Sequence, residues 1–244
     1  MTPEERRAEL AESLAEVQDR LVKACHAADR SADEVELLAV TKTFPASDVA
    51  LLSDLGLVAF AENREQEARG KVAEFAELRP QAVRRWHMVG QLQRNKARAV
   101  TRWADVVESV DSERLAEALA RATANARAAG DREHPLDVLV QVSLDGTVGR
   151  GGCPPDDVPR LADKIAGTSD LRLRGVMAVA PLGGDPDVAF ATLRAISERL
   201  RVDHPEAVDV SAGMSADLES AVAHGSTRVR VGTALLGGRR LTSP

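Results

Sequence analysis

Short apolar runs alternate with amphipathic segments along almost the whole chain, and that alternation leaves few folds open. The runs "ELLAVTK", "LVAF", "RWHMVG", "ADVVESV", "LDVLVQVS", "LRLRGVMAVA", "AVDVSAG" and "TRVRVG" read as β-strands. Helical segments separate them, among them "NREQEARGKVAEFAEL", "SERLAEALARATANARAAG" and "DPDVAFATLRAISERL". Strand–helix repetition favours a parallel sheet, because parallel neighbours need crossover connections. Eight such units in 244 residues fit an α/β fold of the (β/α)8 TIM-barrel type. An open doubly wound sheet is the alternative and suits fewer strands. Residues 2–28 add one amphipathic helix before the first strand. Leu10, Leu14, Val17, Leu21 and Ala24 recur on one face, and Thr2, Pro3 and Glu5 resemble a capped start. Ser47 or Asp48 is expected to cap the first crossover helix, and Ser215 to open the one after strand seven. No Pro/Gly/Ser-rich linker interrupts the pattern. The expectation is one domain over 1–244, with 1–30 packing as a helix on the barrel.

Bulk properties narrow the function classes. Aromatic residues make up 2% of the chain, so the core must be built from Leu, Val and Ala. A formal charge of −6 disfavours a broad nucleic-acid face. Cys25 and Cys153 stand alone, and form neither a disulfide framework nor a zinc motif. The charged start "MTPEERRAEL" has no leader-like apolar stretch, and no run is long enough to span a bilayer. A soluble cytoplasmic protein without membrane or nucleic-acid partners is expected.

In a barrel, the chemistry gathers after the C-terminal ends of the strands. Lys42 follows "LLAV" there and shares strand parity with Leu38 and Val40. If that face lines the barrel, the ammonium points into the mouth. Burial then lowers its pKa and makes a neutral, nucleophilic amine accessible. The alternative is a surface lysine that opens a loop. After "TRVRV", Gly232 and Thr233 turn into a possible helix start, where backbone N–H groups receive anions. Ser211 and Ser215 lie in the neighbouring turn; Ser215 also reads as an N-cap. Arg230 faces the same side as Arg228 and requires an anion, an acceptor or a carboxylate. Glu62 and Asn63 either contact a ligand or cap the following helix. His87 reads as a satisfied structural histidine, with no metal spacing around it.

Taken together, the stretches "LLAVTKTFP", "FAENREQEARGK", "WHMVGQLQRNK", "ESVDS", "VLVQVSLDG", "LRGVMAV" and "GMSADLESAVAHGSTRVRVGTALLG" identify a resemblance. The chain resembles the pyridoxal 5'-phosphate homeostasis proteins, single-domain relatives of the alanine racemase barrel. The resemblance runs from strand one to strand eight. It implies a (β/α)8 barrel preceded by a helix, with pyridoxal 5'-phosphate (PLP) as cofactor, held by Lys42 as an internal aldimine. It implies that Arg230 faces the pyridine nitrogen and leaves it largely unprotonated, since arginine keeps its own proton. Ser211 or Ser215, with Gly232 and Thr233, would receive the phosphate. Asn63 and Met88 would stand as walls near the ring. Departures from the family's usual residues are Ala61 for glycine, Gln91 for histidine, Ser143 for asparagine and Ala212 for methionine.

What the resemblance implies functionally is PLP binding and vitamin B6 homeostasis without robust catalysis. Apo forms of PLP-dependent enzymes are the expected recipients and a monomer the expected state. A PLP-dependent racemase is the alternative. Racemisation needs a base on each face, and racemising relatives draw the second, a tyrosine, from a further domain. This chain contains no tyrosine, and "GGRRLTSP" offers no such domain. Only His87 or Cys153 is left to substitute. A Schiff-base aldolase on a sugar phosphate and an RNA- or protein-binding role complete the alternatives.

Overall fold

The computed structural model describes residues 2–146 and 151–238. Within them, β1 (Glu36–Val40), β2 (Ala59–Glu62), β3 (Arg85–Met88), β4 (Val106–Val110), β5 (Leu136–Gln141), β6 (Leu171–Met177), β7 (Asp209–Ser211) and β8 (Arg228–Val231) close a parallel barrel in chain order. Strand β8 returns to pair with β1, with Leu38 opposite Arg230 and Ala39 opposite Val231. The expected (β/α)8 architecture is therefore the observed one. The crossover helices are α2 (Ala46–Asp54), α3 (Glu65–Leu78), α4 (Ala97–Val100), α5 (Glu113–Ala128), α6 (Val158–Ala166), α7 (Pro186–Asp203) and α8 (Leu218–Ala223). Helix α1 (Pro3–Ala27) precedes the barrel, and the short α9 (Thr233–Leu236) follows β8.

Helix α1 begins as expected. The Thr2 hydroxyl accepts the Glu5 N–H at 3.2 Å, and the Glu5 carboxylate accepts the Thr2 N–H at 2.7 Å. Its buried stripe of Leu10, Leu14, Val17, Leu21 and Ala24 packs across α2, α8 and α9. Two expected caps are not formed. Helix α2 starts two or three residues earlier, after Pro45, and Asp48 instead takes the Arg6 guanidinium at 2.6 Å. Helix α8 starts at Leu218, three residues beyond Ser215, because Asp217 turns back to accept the Met214 N–H at 2.6 Å. Residues 239–244, the end of the "GGRRLTSP" stretch, lie outside the described residues.

Most apolar burial lies between the barrel and its helices, as in other barrels of this kind. The scarce aromatics concentrate there. Phe60, Phe75 and Trp86 meet with ring centroids 5.5–5.9 Å apart, and each such pair contributes about 1 kcal/mol beyond area burial. Inside the barrel the apolar filling is small: Leu38, Ala59 and Ala61 form one cluster, and Val106, Leu139 and Met177 another. Ala61 is the first of the departures that the resemblance implies. It is an ordinary strand residue facing inward, so the position demands no left-handed backbone. Polar groups fill the rest of the interior. Arg228 pairs there with Glu36, Asp209 and Glu108, while at the N-terminal rim the partly exposed Arg85 and Arg172 both pair with buried Asp137.

Candidate functional site at the barrel mouth

Lys42 leaves the end of β1 in a turn at the C-terminal mouth. Its side chain is exposed, so the burial expected from strand parity is absent. The reason is position: Lys42 lies beyond the last paired residue, Val40, where no further layer of side chains covers it. Among the described residues its ammonium has no hydrogen-bond or ion-pair partner. What surrounds it is backbone held from α3. Lys71 Nζ donates to the Thr41 carbonyl at 2.7 Å and meets Glu62 Oε1 at 2.6 Å. The Thr41 hydroxyl donates to the same Glu62 oxygen at 2.6 Å, and the Thr43 N–H donates to Glu67. Burial pushes the Glu62 carboxyl above its ordinary value, with Lys71 and Thr41 opposing. Glu62 neither contacts the mouth nor caps α3: it faces outward from β2 into this network.

Asn63 continues β2 beside this turn. Val40 pairs with Ala61, and the Thr41 N–H donates to the Ala61 carbonyl at 2.9 Å, so Asn63 lies level with Lys42. The turn after β3 crosses it closely. A Cβ on Gly90 would stand 2.1 Å from the Asn63 carbonyl oxygen, which only glycine permits. Met88 is not brought to this mouth. It is 1% exposed and packs in the barrel–helix layer. Strand alternation turns His87 and Val89 inward instead, and Val89 packs on the Leu38 cluster.

Across the mouth, β8 approaches β1 tightly: a Cβ on Gly232 would meet the Val40 carbonyl oxygen at 3.3 Å. Gly232 and Thr233 thereby adjoin the strand that leads into the Lys42 turn. The Arg230 N–H donates to the Gly213 carbonyl at 2.9 Å, which ties in the turn after β7. Ser215 sits partly exposed in that turn. Ser211 does not reach the mouth. It is fully buried, its hydroxyl donating to Glu108 Oε2 at 2.6 Å and accepting from Arg230 Nη1 at 2.8 Å. Its place as the last residue of β7, on the inward parity, commits it to the interior.

Arg230 is satisfied by acceptors rather than by a carboxylate. Its guanidinium donates to the Ser211 carbonyl at 2.7 Å and the Ala178 carbonyl at 2.8 Å. Burial pulls its pKa down, with Glu108 opposing. Glu108 is the hub beneath. Burial would raise its carboxyl, but His87, Arg228 and Arg230 outweigh that and hold it down at about 2. Because that carboxylate stays ionised, the His87 Nδ1 at 2.7 Å carries the proton and donates. Glu108 was open to discovery from the sequence: the cost of burying an ionic side chain, which singles out Arg230, applies equally to the glutamate of "VVESV". Lys71 carried no such local signal, since helix α3 has solvent-facing charges of the same type.

Helix α1 reaches the same mouth from outside. Arg6 donates to the Leu236 carbonyl at 3.0 Å and pairs with Asp48. Arg20 donates to the Ser215 carbonyl at 2.6 Å and forms a two-point pair with Glu219. The turns after β1, β7 and β8 are thus braced by one helix.

Comparison with known proteins places the chain in a family and agrees with the fold. The family of the alanine racemase N-terminal domain matches residues 14–240. The pyridoxal phosphate homeostasis protein of Mycobacterium leprae is 50% identical, over 98% of this chain and 96% of that protein. The crystal structure of an unknown protein from Bifidobacterium adolescentis superposes with a TM-score of 0.87 at 32% identity, over 96% of this chain and 97% of that one. The PLP-bound structure of PipY from Synechococcus elongatus gives 0.79 at 33% identity, over 93% of this chain and all of that one. This chain belongs to the pyridoxal phosphate homeostasis protein family, built on the barrel of the alanine racemase N-terminal domain.

Proposed function

We propose that this protein binds PLP at the barrel mouth and serves intracellular PLP homeostasis as a carrier, with Lys42 as the covalent anchor. The observation that carries the reading is the Lys42 ammonium, without a hydrogen-bond or ion-pair partner among the described residues, in the turn that follows the strand beside Gly232 and Thr233. The residues present suit the group. PLP supplies an aldehyde carbon to which an amine adds with loss of water, together with a phosphate and a pyridine ring. Lys42 is the accessible amine. Gly232, Thr233 and Ser215 offer small or hydroxyl-bearing positions for the phosphate. Asn63, with Val89 in the part expected of Met88, flanks the space between. Arg230 lies below, its guanidinium fixed through two carbonyls and Ser211. An arginine so fixed presents donors only, and it keeps its proton.

Two observations favour a carrier over a racemase. The chain has no tyrosine to act as a second base. Neither substitute is placed for that role: His87 is buried and committed to Glu108, and burial, with Asp157 and Asp111, pushes the Cys153 thiol up to about 12. Apo forms of PLP-dependent enzymes are the proposed recipients, and the cytoplasm the proposed compartment. Among the described residues no helix is long and apolar enough to cross a membrane.

The test is spectroscopic. Purified protein incubated with PLP is expected to absorb at about 420 nm. Borohydride should then fix the label on the peptide containing Lys42, and Lys42→Ala should abolish both signals. Label on a different lysine, or colour that survives in Lys42→Ala, would overturn the anchor.

A further inference from the structure

The two peptide units that flank the Lys42 Cα are each gripped by a side chain of α3. The carbonyl of the 41–42 peptide accepts from Lys71 Nζ at 2.7 Å, and the N–H of the 42–43 peptide donates to Glu67. Fixing both units fixes the backbone torsions of Lys42 itself. The grip is anchored below: Glu62 is fully buried and takes both Lys71 and the Thr41 hydroxyl on Oε1, while its Oε2 has no hydrogen-bond partner among the described residues. The adjoining backbone is strained, since Thr43, a β-branched residue, is held at φ +69°. Such a conformation persists only where surrounding contacts dictate it. A buried ion pair is a poor device for stability, since apolar packing of the same volume does as well or better. Its worth here is directional: every donor and acceptor it spends on backbone goes to the residues adjoining Lys42.

We propose that Glu62, Glu67 and Lys71 are positioning residues that pre-set the Lys42 backbone for capture of PLP. This rests on the reading of Lys42 as the anchor. Without the clamp the turn is free to relax from its strained form, and the amine spends less time where an aldehyde seated at the Gly232 side can reach it. Small misplacements of reacting groups weaken such captures steeply.

The experiment uses the full chain freed of cofactor and titrated with PLP. Apparent affinity is read from visible absorbance, and label at Lys42 from borohydride trapping and peptide mapping. The double variant Glu62→Gln with Lys71→Met removes the clamp without leaving a buried unpaired charge. It is expected to bind about tenfold more weakly or worse, with less label on Lys42. Leu161→Ala, a core cavity in α6 remote from the clamp, serves as the stability control and should leave affinity within about twofold. Glu67→Ala, at a half-buried position, is the second variant should the double one not fold, and should bind about threefold more weakly or worse. Wild-type affinity in the clamp variants, or an equal loss in Leu161→Ala, overturns the clamp alone. Absence of label at Lys42 in the wild type overturns the anchor and the clamp together.

Discussion

Replacing Glu108 by Gln isolates the charge at the centre of the barrel while keeping its shape. The carboxylate is fully buried and is held at about 2 against an ordinary 4.5. A lowered folded-state pKa means that the folded protein binds this proton less tightly than the unfolded chain. The resulting stability is present above the unfolded value and is lost as pH falls towards the folded one. From those two values Glu108 contributes about 3 kcal/mol at pH 7, about 2 at pH 3.5 and less than about 1 at pH 2.5. In a chain of this size the pH 7 figure corresponds to a fall of roughly 6–12 °C in Tm for Glu108→Gln. Urea unfolding of both proteins across this pH range gives the difference directly. It should narrow as pH falls, because the wild type loses what the glutamine never had. A difference that stays constant down to pH 3.5, or one below about 1 kcal/mol at pH 7, would refute the reasoning.

Thr43→Gly should relieve the left-handed strain beside Lys42, leaving global stability unchanged or higher by about 1 kcal/mol in urea unfolding. A clear loss of stability would show that the Thr43 side chain, and not its backbone, is what the turn requires. The two α1 arginines should differ. Arg6 and Asp48 are 11% and 10% exposed in their side chains, and Arg6 also caps Leu236, so Arg6→Ala should cost about 1–3 kcal/mol. The pair of Arg20 and Glu219 is 38% and 54% exposed, and Arg20→Ala should cost less than about 1 kcal/mol; equal losses in thermal unfolding would contradict this ordering.

The barrel was legible because its signal is periodic. Alternation of strand and helix runs the length of the chain, and the parity of Leu38 with Val40 and of Arg228 with Arg230 follows from a period of two. Met88 shows where parity stops helping. In "WHMVG" both faces of the strand are buried, so hydrophobicity does not say which residue faces in, and the histidine proves to be the inward one. Ser211 shows a related limit: its place at a strand end was legible, but the glutamate 103 positions away that claims its hydroxyl was not. The clamp of Glu62, Glu67 and Lys71 was equally hidden. Its partners meet Thr41 and Thr43 only once β1, β2 and α3 are packed together.

The closure of β8 onto β1 has a consequence for biosynthesis. The strand translated first finds one of its two neighbours only when the strand translated last emerges, and Arg6 waits likewise for the carbonyl of Leu236. During translation the nascent ring stays open along that seam, with an unpaired strand edge on either side. Completing the cylinder and bringing Gly232 and Thr233 beside the turn that carries Lys42 are therefore one and the same late event on the ribosome.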